Sequence, residues 1–555
     1  MHISNESGII RKIIWWFVAV LFSTMIIAGI ILDLKAPVSN GIYLGVIILL
    51  LSCPIYFCLS WIDHKLQSMQ VHIGEAFNKR QLMCVYVVIV LVWFAGYLAM
   101  FPGVYATDAQ YWYYEFANSD VPISSQWSPV YAGIYYFFLE MGLRFWGSEV
   151  IGFGIFTLLQ MAWILYGVWS IIRFINRVFG RVAALCAAAF FIFVPTHNIL
   201  SVSSAQDGIF ALAFAMSLLH LIRIVFGEEN YWDNCKNPIA FCGWLLVSCI
   251  VRNNGFYAIL VVAFFTVCFA TKWKARILTV FTVAMIATLV YQGPLYAVFG
   301  VQKGTAVREM LSLPLQQMAY AYNFTGDLSP EVCEEMHRYI PEESWGKYQP
   351  CISDQIKNSL NVSAVEESLL DFAKLYVKVG LESPKGYLIG AAYQTYGLWY
   401  PFKEYPDERT WHPYIDYASY TSDLFETGIE LTRHSLFPMY EEMLAWLFGA
   451  GETWDGFGGH LFIGFSDIPL WNLICKAGTY TWLVIFMLVY LLLHRKYKAL
   501  VPLGYVIGIL LTVVLSPVIM YRYVAPVIFS APLWITLLWL ANKPDGLGTN
   551  LKEDF

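Results

Sequence analysis

The chain has 555 residues, of which 58% are hydrophobic and only 13% charged, and its net charge is −6. Soluble domains carry about 25% charged residues, so this composition points to a bilayer as the solvent. The acidic balance argues against nucleic-acid binding, which needs a basic surface to meet phosphates, and an aromatic content of 17% suits interfacial belts.

A membrane span needs about 20 mostly apolar residues. Scanning on that basis predicts spans at 12–32, 41–61, 81–101, 148–173, 182–199, 206–226, 237–252, 255–271, 276–298, 471–494, 499–519 and 523–541. The first is as long as a full span and lacks the small-residue cleavage site of a signal peptide. The stretch 130–146 is interrupted by Glu140 and Arg144 and reads as a helix lying on the membrane surface. Arg11 and Lys12, then Lys65, Lys79 and Arg80, then Arg173, Arg177 and Arg181, then Lys272, Lys274 and Arg276, and last Arg495, Lys496 and Lys498 fill loops on one side. By the positive-inside rule that side is cytoplasmic, with both termini.

The expected architecture is therefore an all-α polytopic transmembrane bundle of about twelve spans. Residues 1–80 form two accessory helices, 81–298 a core with an outer loop at 102–147, and 471–541 the last spans before a cytoplasmic tail at 542–555. An inserted, mainly α extracytoplasmic domain occupies 299–470, with a helix-like stretch at 363–380. No internal repeat of the kind that builds inverted-repeat transporters is visible.

Most of the 11 cysteines lie in apolar segments as small buried hydrophobes, and no CxxC pair or His/Cys cluster points to a metal. Cys333 and Cys351 are the two in the inserted domain. Outside the cytoplasm they are expected to form a disulfide, closing a loop of about 18 residues for roughly 3 kcal/mol.

Polar motifs gather at the outer ends of the spans. Asp108 follows a Pro102-Gly103 turn, where a carboxylate can take a proton from a hydroxyl or simply cap the next helix. Asp207, in Gln206-Asp207-Gly208, lies at the same level, either as the second of a carboxylate pair or as a first-turn charge. Arg252, in Arg252-Asn253-Asn254-Gly255, and Arg522, before Tyr523, can hold a lipid phosphate bidentately or snorkel to headgroups. Lys303 and Arg308, with Gln316 and Gln317 in Leu313-Pro314-Leu315-Gln316-Gln317, follow the ninth span and suit phosphate or sugar hydroxyls as well as a capped surface helix.

The Asp108 loop and the Trp127-Ser128-Pro129-Val130-Tyr131 segment leading into a surface helix resemble the C-type glycosyltransferases. That superfamily includes the protein O-mannosyltransferases and the lipid A aminoarabinose transferase. The chain also looks like a bacterial family of polytopic proteins of unknown function, through the motifs above, the turn Pro350-Cys351-Ile352-Ser353-Asp354 and Arg522-Tyr523-Val524-Ala525-Pro526. The resemblance implies an outward-facing, inverting hexosyltransferase in a bacterial plasma membrane, moving sugar from a polyprenyl-phosphate donor to a cell-envelope glycan. Asp108 and Asp207 would be catalytic, and Arg522, Arg252, Arg308 and Lys303 would meet the donor phosphate. Glu115, Gln126, Trp127, Gln316, Gln317 and His412 would line the acceptor and sugar side.

The chain departs from the superfamily in three ways. Gln126-Trp127-Ser128-Pro129 replaces a His-Pro-Pro pattern, two spans precede the core, and the soluble domain is inserted rather than C-terminal. No DxD motif is present in the outer loop, so no metal is implied, although a divalent cation (Mg or Mn) remains compatible. His412 also reads as an ordinary packed histidine. A flippase for lipid-linked saccharides and a non-catalytic envelope-assembly protein are the competing classes; the first would want charges at the bilayer midplane.

Overall fold

The computed structural model describes residues 2–35, 41–68, 74–106, 108–194, 196–227, 230–270, 272–302, 306–402, 421–423, 430–432, 434–448, 472–519 and 521–542. Among them the structure is helical apart from one two-stranded antiparallel ribbon, Thr421–Asp423 with Glu430–Thr432. Among the described residues seven helices are long and apolar enough to cross a membrane, or eight if a bent pair counts as one span. Shorter apolar helices accompany them at Arg181–Phe193, Lys236–Val251, Asn254–Phe269 and Ala477–Leu493. The chain is thus an all-α polytopic bundle.

In chain order the first helices are α1 (His2–Leu34), α2 (Gly41–Ser68) and α3 (Lys79–Ala99). They lead to α4 (Asp108–Ala117) and α5 (Pro129–Trp146), neither of which is long and apolar enough to count as a candidate span. The helix α6 covers Glu149–Phe179, so Arg173 and Arg177, expected in a loop, lie within it. Charge ends a hydropathy window but not a helix; Gly180, at φ 82°, ends this one. After α7 (Arg181–Phe193) and α8 (Thr196–Ser201) comes α9 (Asp207–Val225), the centre of the bundle. Nearly all of its side chains are buried, against α6, α10 (Lys236–Val251) and the helices Leu500–Val514 and Tyr521–Phe529. The helices α11 (Asn254–Phe269) and α12 (Lys274–Val290) follow.

The region expected as one span at 523–541 is broken. Tyr521–Phe529 meets Ala531–Leu540 at a bend of 43°, with Pro526 inside the first half. The stretch at 363–380 is two helices, Val362–Glu367 and Leu369–Glu382, with the Ser368 hydroxyl capping the second. A second core, separate from that of the bundle, is built from Leu315, Met318, Trp345, Phe372 and Leu375 among others, within the inserted segment.

The expected disulfide is absent: Cys333 and Cys351 are not joined to each other. Cys351 is buried with Ile26, Tyr396 and Tyr400, at φ 70°. Cys333 lies on the helix Pro330–His337, where burial first and then the Glu382 charge push its thiol pKa up. The two face different packing environments, so their being the two cysteines of that segment did not make them neighbours.

At one end of the bundle the basic segments draw together. Arg11 donates to Gln67, whose amide reaches Asp63, and His494 Nε2 lies 2.7 Å from the same carboxylate. The candidate site lies at the opposite end.

Candidate functional site

Two loops are stitched together first. The segment after α3 forms a parallel bridge with the turn before α9: Val104 N donates to Val202 O and Ser204 N to Val104 O, each at 2.9 Å. Ala106 N donates to the Ser204 hydroxyl at 2.7 Å. Gly103 is required here, because at its φ of 151° a Cβ would lie 2.5 Å from Val202 O. This pairing brings the start of α4 (Asp108) beside the start of α9 (Asp207).

The turn before α9 is held from below by Gln160 of α6, whose amide donates to Ser201 O at 3.0 Å and Ser203 O at 2.7 Å. The Tyr131 hydroxyl lies 2.7 Å from Gln160 Oε1 and 3.0 Å from Ser204 O. Within the Trp-Ser-Pro-Val-Tyr segment, Ser128 caps α5 and Tyr131 anchors this turn. Sequence reasoning names Tyr131 only as the end of that segment and Gln160 not at all, although a glutamine inside a 31-residue apolar helix is itself a signal.

The two arginines arrive from two further breaks. The helix α10 ends at Val251, and Arg252 is extended (φ −144°, ψ 130°) before α11 starts at Asn254. Each residue of that motif has a task. Asn253 accepts from Gln292, Asn254 donates to the Thr512 hydroxyl, and a Cβ on Gly255 would lie 2.5 Å from the Ser248 hydroxyl. Arg522 lies in the first turn of the helix Tyr521–Phe529, which follows the non-helical residues 515–519.

The four charges meet. Arg252 NH2 lies 2.6 Å from Asp207 Oδ1, and Arg522 NH2 lies 2.9 Å from Asp108 Oδ2. Arg522 Nε is 3.9 Å from Asp207 Oδ2, which joins the two pairs into one cluster. Both guanidinium groups also lie against Tyr523, at 5.3 Å and 5.4 Å from the ring centre. In the amide orientation that satisfies both its atoms, Gln206 accepts from Arg252 Nε and donates to Val251 O, each at 3.2 Å. The carboxylates differ sharply: the Asp207 side chain is 1% exposed and that of Asp108 28%.

The remaining predicted residues lie elsewhere. Glu115 Oε2 accepts from Ser124 N at 3.1 Å, closing the outer loop, and burial raises its pKa against that hydrogen bond. Gln126 is exposed, and Trp127 stacks on Tyr111 with ring centres 5.6 Å apart. Gln316 is fully buried and donates to Gln349 O, while Gln317 bonds Tyr376 and Tyr387 O. Among the described residues Arg308 makes no ion pair and its buried Nε has no hydrogen-bond partner; its neighbour Glu309 pairs with Lys357. Lys303 and His412 lie outside the described residues.

Fold and site together define a polytopic helical membrane protein with a paired aspartate–arginine cluster at one end of its bundle. The chain belongs to a family of unknown function (DUF6020), which it matches over residues 114–549. No curated protein and no solved structure matches it.

Proposed function

We propose that this chain is an inverting C-type glycosyltransferase that moves a hexose from a polyprenyl-phosphate donor to a cell-envelope glycan outside the cytoplasm. One observation carries the reading. In a membrane protein with few charges, four of them from segments far apart in sequence converge where an anionic lipid headgroup would lie. The long and shorter apolar helices together supply the twelve crossings, the basic ends face the cytoplasm, and the inserted segment lies outside.

The difference in exposure divides the roles. Asp207, buried between both arginines, fixes their guanidinium planes and is a positioning residue. Asp108 reaches solvent and is the general base. The donor phosphate competes with Asp108 for Arg522 and thereby releases the carboxylate. The acceptor hydroxyl oxygen then bonds to the anomeric carbon as the carbon–oxygen bond to phosphate breaks. The bonding pair leaves with the phosphate and the hydroxyl proton goes to Asp108. Arginine suits the first task because its fork matches phosphate oxygens. The chemistry needs no metal, and a divalent cation would act only as an additional phosphate clamp.

The test is transfer of radiolabelled hexose from polyprenyl phosphate to envelope glycans by the purified protein and its Asp108→Asn variant. Loss of a general base costs about 10²–10⁴-fold in rate. Donor binding without transfer, equal in both proteins, would instead favour a lipid-saccharide flippase.

A further inference from the structure

Two of the sequence motifs have no place in the charged cluster, yet they lie against each other. Gln316, in the Leu-Pro-Leu-Gln-Gln motif, donates to Gln349 O at 3.0 Å. Gln349 opens the turn containing Pro350, Cys351, Ile352 and Ser353, where Ile352 bridges back to Gln349 and also pairs with Val518. Ser353 N donates to Pro517 O at 2.9 Å, and its hydroxyl lies 3.2 Å from the same oxygen. From the helix Pro384–Trp399, the Gln394 amide donates to Ser516 O at 2.9 Å and to Pro517 O at 2.8 Å. Gln394 is 1% exposed.

The Gln394 and Ser353 donors converge on the carbonyls of Ser516 and Pro517, in the break that separates Leu500–Val514 from Tyr521–Phe529, while Gln316 holds the turn that carries Ser353. Backbone carbonyls in a helix break inside a bundle have lost their helical partners and must be satisfied from elsewhere. Here the inserted segment satisfies them, and Arg522 follows a few residues later. Both glutamines use their N–H groups on this strut while their own Oε1 atoms have no hydrogen-bond partner. The donor function is therefore what the side chain supplies.

We propose that Gln394 and Ser353, with Gln316 behind them, are positioning residues that set the Arg522 guanidinium against Asp108 and Asp207. The inserted domain is then part of the donor-phosphate site without touching it, and its movement on binding an acceptor would be felt at Arg522. This rests on the proposed function only for its ligand.

The experiment uses the full chain in nanodiscs with Gln394→Met and, as a milder change, Ser353→Ala. Hydrogen exchange of the backbone at 515–526 should accelerate on the order of tenfold in Gln394→Met, and less in Ser353→Ala, with the rest of the bundle unchanged. Binding of a polyprenyl monophosphate should weaken several-fold in Gln394→Met but show no further loss when Gln394→Met is added to Arg522→Ala. Unchanged exchange overturns the strut whatever binding shows. Faster exchange with undiminished binding, or additive losses with Arg522→Ala, overturns the positioning of Arg522. A wild-type protein that binds no polyprenyl monophosphate sinks the donor reading instead, and the exchange result still decides the strut.

Discussion

Replacing Asp207 with asparagine tests whether the charged cluster is one electrostatic unit. The substitution keeps the shape and removes one charge from a side chain that is 1% exposed and 2.6 Å from Arg252. Arg522 retains Asp108 at 2.9 Å, whereas among the described residues Arg252 pairs with no second carboxylate. Removing one partner of a buried pair costs about 3–5 kcal/mol. Arg252 keeps 17% of its side chain exposed, which lets water screen part of the stranded charge and places the expected loss near the low end, about 3 kcal/mol. Arg252→Met made alone strands Asp207 in the same way, but Arg522 Nε at 3.9 Å softens that loss. The double variant restores neutrality, so unfolding of the detergent-solubilised protein should show a coupling of about 2 kcal/mol or more. A single-variant loss below about 1 kcal/mol, or additive losses, would refute the cluster as a unit.

Four further outcomes follow from neighbouring geometry. Asp108→Asn, at a side chain 28% exposed, should leave stability within about 1 kcal/mol of wild type. The same variant should bind polyprenyl monophosphate more tightly, because the phosphate no longer competes for Arg522; equal or weaker binding contradicts that competition. Glu115 has its pKa raised mainly by burial, so its folded form holds a proton more tightly than the unfolded chain. Its stability contribution is therefore greatest in acid and is lost as pH rises through the folded pKa. Glu115→Gln, which can still accept from Ser124 N, should raise the melting temperature at neutral pH and flatten its dependence between mildly acidic and neutral buffer. Finally, reductant should not shift the melting temperature through Cys333 and Cys351, and a maleimide should label Cys333 natively but the buried Cys351 only after denaturation.

The charged residues were legible because charge is rare in this chain, at 13% of residues, and these four punctuate apolar stretches. Their pairing was not. Asp108 and Arg522 are 414 positions apart, and no local pattern says which carboxylate meets which arginine. The unequal burial of Asp108 and Asp207 was equally hidden, since both follow turns and open helices. It depends on α9 being central and α4 lying at the surface. Gln316 and Gln317 read as sugar ligands because amides near a membrane surface suit hydroxyls. Their side chains satisfy backbone and tyrosine partners instead, a distinction that only the tertiary fold supplies. The disulfide failed for a related reason, because spacing cannot tell which side of a helix or turn a thiol faces.

Charge balance links the cluster to the proposed chemistry. Two arginines and two aspartates make a neutral site, which is how ionised groups are tolerated near a bilayer. A polyprenyl phosphosugar is a phosphodiester and brings one negative charge. When the sugar leaves, the phosphate becomes a monoester and gains a second, in surroundings where each added charge is poorly screened. If the acceptor proton moves to Asp108 in the same step, the carboxylate loses the charge that the phosphate gains. The site then keeps the same net charge from bound donor to bound product. A buried carboxylate locked between two arginines could not take that proton without breaking both contacts, which is why the half-buried Asp108 and not Asp207 suits the role. A carrier that only moved the lipid would have no use for this asymmetry, since its headgroup charge never changes.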